Sequence, residues 1–188
     1  MLKLGVIVAS TRESRAGLPI AEWFVRVASA DPAFEITLID LKAVDLPMLS
    51  EPDHPRLKKY SHPATLTWSA TIAAHDAFVI VTPEYNHGAP PALINALDQL
   101  YQEWNYKPAG FVSYGGVSAG LRSAAMTKSI LTTLKVVPIV ETVAIPHFPT
   151  LLDRETGQFM GSEGLEKSAV AMLKELARWA SALRTLRT

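Results

Sequence analysis

Three short stretches of this sequence combine residue types that can grip an anionic, aromatic ligand. The first is Ser10-Thr11-Arg12, followed by Ser14, Arg15 and Gly17, ahead of an amphipathic segment. Hydroxyls and guanidiniums placed where a strand gives way to a helix supply donors for a phosphate, and the helix's own N–H groups add to them. No G-x-G-x-x-G follows the first strand and no G-x-x-x-x-G-K-[ST] occurs anywhere, so neither common pyrophosphate cradle is encoded. A loop lined with hydroxyls suits a phosphate monoester instead. The plainer alternative is that Ser and Thr cap the helix while both arginines point to water.

The second stretch is Thr82-Pro83-Glu84-Tyr85-Asn86-His87-Gly88-Ala89-Pro90-Pro91, and the third is Ser113-Tyr114-Gly115-Gly116. A turn held between prolines can present N–H groups, an aromatic face and an amide to the edge of a planar ligand. Adjacent glycines let a ring lie against bare backbone. Read alone, the second stretch could equally be an ordinary Pro-rich strand-to-helix turn.

A different chemistry competes for the same region. Gly116-Val117-Ser118-Ala119-Gly120 matches G-x-S-x-G between an expected strand and an expected helix, with Glu141 and His147 following in the acid-then-histidine order of a hydrolase. Against a Ser118 nucleophile stand the missing HGGG-type oxyanion segment and the distance of Ser118 from the strand end at Tyr114. It also leaves the Ser-Thr-Arg loop unused. His54, His62, His75 and His87 show no metal-ligand spacing. With no cysteine in the chain, disulfides, zinc thiolates, iron–sulfur clusters and Cys nucleophiles are excluded.

The elements that must position these loops follow from hydrophobic periodicity. Apolar runs at 4–8, 34–41, 77–82, 110–114 and 136–145 read as strands. Segments 19–28, 65–75, 93–104, 121–134 and 165–183 carry apolar residues at helical spacing. This alternation predicts an α/β three-layer fold, a parallel sheet with helices on both faces. Two architectures fit, the flavodoxin-like sheet of order 2-1-3-4-5 and a truncated dinucleotide-binding unit; in both, ligands sit beyond the carboxyl ends of the strands. Pro138 places the fifth strand at an edge. Residues 42–63 hold four prolines and read as a long loop of the kind that serves as lid or interface arm. At 188 residues, 48% hydrophobic and 19% charged, the chain is expected to form one globular domain over 1–188. Eighteen Lys and Arg balance 18 Asp and Glu, so the net charge encodes no attraction to nucleic acid or anionic lipid. It also speaks against an acidic one-electron carrier. No apolar run is long enough for an export signal or a membrane span, which makes the cytoplasm the expected compartment.

Taken together, Ala9 to Arg12 with Arg15 and Gly17, Pro83 to Asn86, Asn95-Ala96-Leu97-Asp98, and Phe111 to Gly116 with Gly120 and Leu121 resemble the NADPH-dependent FMN reductases of flavodoxin-like fold. That family includes quinone, azo-dye and chromate reductases. The resemblance implies that Ser10, Thr11, Arg12 and Arg15 hold the FMN phosphate, that Pro83, Glu84, Tyr85 and Asn86 line the isoalloxazine ring, and that Ser113, Tyr114, Gly115 and Gly116 meet its other edge. It further implies non-covalent FMN, NADPH as hydride donor, and ping-pong transfer to a quinone, azo, metal-ion or free-flavin acceptor with no catalytic side chain. A homodimer or homotetramer, joined through the third and fourth helices, is implied as well. Ala9, Pro91, Ile94 and Ala119 depart from the family's usual residues.

Overall fold

A computed structural model describes residues 1–187. Its five strands are β1 (Leu2–Val8), β2 (Phe34–Asp40), β3 (Ala77–Pro83), β4 (Pro108–Tyr114) and β5 (Val137–Ile145), all parallel, in the order β2-β1-β3-β4-β5. This is the flavodoxin-like order. The central strand β3 is buried along its whole length, as a strand covered on both faces must be.

Because successive side chains alternate faces, the sheet feeds two cores. Val6, Val8, Val79 and Val81 pack beneath α1 (Gly17–Ala28) and the last helix (Glu163–Leu183), whose Phe24, Met172 and Leu176 are buried there. Ile7, Phe78, Ile80 and Phe111 face the opposite layer. That layer comprises α3 (Pro63–Ala73), α4 (Pro91–Asp98) and α5 (Leu121–Thr133), and the last helix is therefore α6. A short α2 (Leu41–Val44) starts directly at the end of β2, capped by the Asp40 carboxylate, which accepts from the Lys42 N–H. As Pro138 predicts, β5 is an edge strand, and the β4–β5 register shifts between Ala109 and Phe111, beside that proline.

One expectation needs correction. The helix read over 93–104 ends at Asp98, and Gln102–Trp104 forms a separate 3-10 turn. Between them the buried Gln99 side chain donates to the Pro47 carbonyl (2.8 Å) and accepts from Thr65 (3.1 Å), and Tyr101 leaves helical geometry at φ −134°. The break lets Trp104 drop edge-on against Trp68 and Phe78, at ring distances of 6.2 and 5.0 Å. Trp104 is thus part of the core.

The long loop over 42–63 carries a 3-10 turn at Pro55–Leu57 and is tied to the rest of the domain by hydrogen bonds. The Asn95 amide accepts from Leu49 N–H and donates to the Pro47 carbonyl, both at 2.9 Å. Glu51 accepts from the Ser61 hydroxyl and from the N–H groups of Ser61 and His62. Partial desolvation alone would raise the Glu51 carboxyl, but these donors outweigh it and hold it down to about 2. A carboxyl whose folded pKa is depressed stabilises above its unfolded pKa and loses that contribution as pH falls through the folded value. The stability of this loop should therefore fade between about pH 4.5 and about 2. Amide exchange of residues 47–62 measured across this window should accelerate in the native protein. In Glu51→Gln it should be fast at every pH, and an unchanged profile would remove Glu51 as the clamp. Among the described residues no helix is long and apolar enough to cross a membrane.

Candidate functional site

The loop after β1 is held from below. Ala9 N–H donates to the Val81 carbonyl (3.0 Å), and Ser10, itself buried, accepts at Oγ from the Tyr114 hydroxyl at 3.2 Å. Gly17 opens α1 under this pair: a Cβ there would lie 2.3 Å from Ser10 Oγ and 2.7 Å from Tyr114 Oη. The N-cap residue is Ala16, with no side-chain cap. Ser10, Thr11 and Ser14 are therefore not helix caps. Among the described residues, the N–H groups of Thr11, Arg12, Glu13 and Ser14 have no protein acceptor. An uncapped helix start beneath a run of free N–H groups is the arrangement that favours an anion.

The two arginines differ. Arg15 turns inward, pairs with Asp40 and donates to the Ser10 carbonyl at 3.2 Å. Its charge is already balanced. Arg12 is exposed and faces the Tyr85 hydroxyl, whose pKa burial raises and Arg12 partly lowers again.

The loop after β3 closes as a two-residue turn. Tyr85 and Gly88 exchange backbone hydrogen bonds of 3.0 and 2.9 Å, with Asn86 and His87 both left-handed at φ 50° and 66°. This is the geometry of a type I′ turn. It occupies the Tyr85 N–H and leaves the Asn86 N–H without a protein acceptor. After β4, the Gly115 N–H is taken by the Ile145 carbonyl (3.2 Å), while Gly116 N–H has no protein acceptor and a Cβ on Gly116 would meet nothing within 4 Å.

A cavity of about 410 Å³ joins these loops. Arg12, Ser14, Arg15 and Ala16 line one end; Pro83 to Tyr85 and Tyr114 to Gly116 line the other. The sequence reading missed its third wall, formed by Phe148, Leu152 and Gly157 in the segment after β5. Phe148 stands edge-on to Tyr114 at 5.2 Å. Nothing in that polar stretch signals a ligand, because its position depends on how β5 hands the chain back over β4.

Not every expected residue reaches the cavity. Thr11 lines a neighbouring cavity of about 570 Å³ with Lys42, Met48 and Asn95. Asn86 sits exposed at the tip of its turn, outside the lining. Ser10 lies beneath the loop, and Ser113 is buried within β4 with its Oγ unpartnered. Glu84 is engaged by protein. It accepts from Ser118 Oγ at 3.0 Å and from the Arg122 guanidinium at 2.7 Å. Desolvation pushes the Glu84 carboxyl up, and these two donors more than reverse it, so it stays ionised.

The Ser118 hydroxyl is therefore committed to a carboxylate, four residues past the strand end, and no histidine nitrogen is bonded to it. His147 meets this loop only through its backbone N–H, on the Gly116 carbonyl at 3.1 Å. The hydrolase reading has no support. Ser118→Ala should leave flavin-dependent turnover within about threefold of wild type, since it removes one hydrogen bond at the rim. A loss of a hundredfold in steady-state rate would reopen the question.

The parallel 2-1-3-4-5 sheet, with a phosphate-suited loop after β1 and an aromatic-walled slot at the carboxyl ends of β3 and β4, defines a flavodoxin-like flavoenzyme domain. The chain belongs to the NADPH-dependent FMN reductase family, whose profile matches residues 2–150. It is 38% identical to an NAD(P)H-dependent FMN reductase of Schizosaccharomyces pombe over 149 residues, 77% of this chain and 74% of the relative. A 2-hydroxy-1,4-benzoquinone reductase of a Burkholderia species is 30% identical over 69% of this chain and 68% of its own. Among solved structures, the flavoenzyme NAD(P)H:acceptor oxidoreductase FerB of Paracoccus denitrificans superposes with TM-score 0.77 at 22% identity, covering 97% of this chain and 98% of its own. The protein is an NAD(P)H-dependent oxidoreductase that uses FMN.

The residues present fit that cofactor. Free N–H groups and Arg12 lie at one end of the cavity for a phosphate, and the open face of Gly116 with the Tyr85 and Tyr114 walls suits a flat ring.

Proposed function

We propose that this reductase takes a hydride from NADPH and delivers two electrons to a small-molecule acceptor, a quinone before an azo compound, a metal ion or free flavin. The observation that carries this reading is the single cavity shared by the three loops, open on the side of Gly116. The quinone preference draws on the relative that reduces 2-hydroxy-1,4-benzoquinone.

In this reading Arg12, Ser14 and the N–H groups of Thr11 to Ser14 bind the FMN phosphate. Ser10 and Arg15 act beneath them, Ser10 through Tyr114 and Arg15 through Asp40, and keep the loop in shape. Pro83, Tyr85, Gly115 and Gly116 flank the ring, and the N–H groups of Asn86 and Gly116 favour negative charge on it. Glu84 positions the rim through Arg122 and Ser118. Bound FMN supplies hydride acceptance and its onward transfer. Donor and acceptor use the same opening in turn, which is ping-pong turnover.

The test begins with the visible spectrum of purified protein loaded with FMN and freed of excess. A yellow protein bleached anaerobically by NADPH and reoxidised by a benzoquinone, with parallel initial-rate lines, is expected. A colourless protein, or intersecting lines, would refute the cofactor site or the ping-pong order respectively. A homodimer or homotetramer accords with the exposed Met48, Leu49, Leu121 and Met126, the last of which touches the Tyr85–Gly88 turn through Ala89. Sedimentation at a single mass of one chain would exclude it. A cytoplasmic location, where NADPH is supplied, goes with this reading, and cell fractionation checks it.

A further inference from the structure

A further cavity of about 780 Å³ lies at the other end of the sheet, by the start of β4 and β5. Seven residues of β4 separate the two ends, roughly 20 Å of strand. Five cationic side chains line it, from Arg56, Lys58, Lys107, Lys135 and Arg187, against one carboxylate, Glu103. In a chain whose formal charges sum to zero, that is a strong local excess.

The few acidic groups nearby are already occupied. The Glu103 carboxylate, buried, accepts from Ser69 Oγ (2.7 Å) and the Tyr60 hydroxyl (3.0 Å), with Lys58 at 3.7 Å. Asp76 pairs with Arg187 at 3.1 Å and Arg184 at 3.7 Å. Arg56 and Lys135 have no carboxylate within 4 Å among the described residues. Each is instead held by a tyrosine. Arg56 lies 4.9 Å over the Tyr101 ring and donates to its hydroxyl, and Lys135 lies 5.2 Å over the Tyr106 ring and does the same. Lys107 is buried, donating to the Ile72 carbonyl at 2.7 Å and the Ala73 carbonyl at 3.3 Å. Cation–π contacts and neutral acceptors orient these groups without cancelling their charge. Among the described residues, Arg56, Lys107 and Lys135 thus converge on one cavity with no carboxylate paired to any of them, Glu103 being engaged by Ser69 and Tyr60.

We propose that this cavity is a second ligand site, separate from the flavin site, which binds the diphosphate group of a small molecule. A diphosphate carries about three negative charges near neutrality, matching Arg56, Lys107 and Lys135, and the guanidinium fork with ammonium point charges is the donor set that phosphate oxygens take. Lys107 adds a signature. Burial lowers its pKa first, Arg187 and Lys58 lower it further, and Asp76 and Glu103 oppose them, leaving it at about 7; His75 stands nearby. An anion beside it favours the protonated form, so binding takes up a proton at pH 7.5.

The experiment titrates inorganic pyrophosphate into the FMN-loaded protein by calorimetry at 150 mM salt, in two buffers of different ionisation enthalpy. Saturable binding of one pyrophosphate per chain with proton uptake is expected. It should be weakened at least fivefold by Lys135→Ala and by Arg56→Ala, both exposed positions, and left unchanged by Lys167→Ala, an exposed cation of α6 that lines neither cavity. Absence of saturable binding overturns the proposal. So does binding that Arg12→Ala abolishes while Lys135→Ala and Arg56→Ala leave it intact, because the pyrophosphate would then occupy the cofactor region.

Discussion

Arg12→Ala is expected to weaken FMN binding by about 10- to 100-fold, the value of one or two charge-assisted hydrogen bonds at roughly 1.5–3 kcal/mol. Arg12 carries the only guanidinium of the loop without a carboxylate partner among the described residues. Arg15, three residues on, is already paired with Asp40 and bonded to the Ser10 carbonyl. Arg15→Ala should act differently, by leaving Asp40 unpaired and the loop less ordered. Its cost should appear in thermal stability of the FMN-free protein, where Arg12→Ala should cost little. Flavin fluorescence quenching gives the affinities and thermal unfolding gives the stabilities. Equal losses of affinity, with no difference in stability, would show that both arginines touch the phosphate.

The second large effect concerns the glycines that follow β4, Gly115, Gly116 and Gly120. Gly120 has φ 75°, and a Cβ there would lie 2.7 Å from both the N and the O of Tyr114. Those are backbone atoms of the strand end and cannot move aside. Gly120→Ala combines a left-handed residue, about 1–2 kcal/mol, with overpacking, about 1–3 kcal/mol, so a loss of about 3 kcal/mol or more is expected in urea unfolding. Gly115→Ala has a neighbouring obstacle, Gly120 N at 3.0 Å, whereas Gly116→Ala meets nothing within 4 Å. Gly116→Ala should leave stability within about 0.5 kcal/mol of wild type and yet reduce FMN affinity, because its Cβ enters the space in front of the ring wall. Unaltered affinity in Gly116→Ala would move the flavin to another wall of the cavity.

Much of this architecture is legible in the chain because each level says the same thing. Leu4 to Val8 of β1 and Ala77 to Val81 of β3 carry no polar side chain and are buried throughout, as a strand covered on both faces must be. The phosphate-suited character of residues 10–15 is likewise written in residue types. What escapes the sequence is which donor is spent internally. That Arg15 pairs with Asp40 depends on β2 lying beside β1, and that Glu84 pairs with Arg122 depends on α5 starting beneath the β3 turn. Both are tertiary facts between residues 25 and 38 positions apart. The helix read over 93–104 failed for a similar reason. Leu100 and Trp104 keep helical spacing, but long-range bonds of Gln99 to Pro47 and Thr65 end the helix before them.

The hydrogen bond from Tyr114 to Ser10 joins residues 104 positions apart. During synthesis from the N-terminus, the loop of residues 10–15 is made well before the tyrosine that supports it, which closes β4. A nascent chain that has emerged only through β3 carries every donor of residues 10–15 without the Tyr114 hydroxyl beneath Ser10 or the walls at Gly115 and Gly116. If residues 10–15 hold the FMN phosphate as proposed, cofactor capture waits until the fourth strand has docked, and bound flavin would then report a sheet assembled in its proper order.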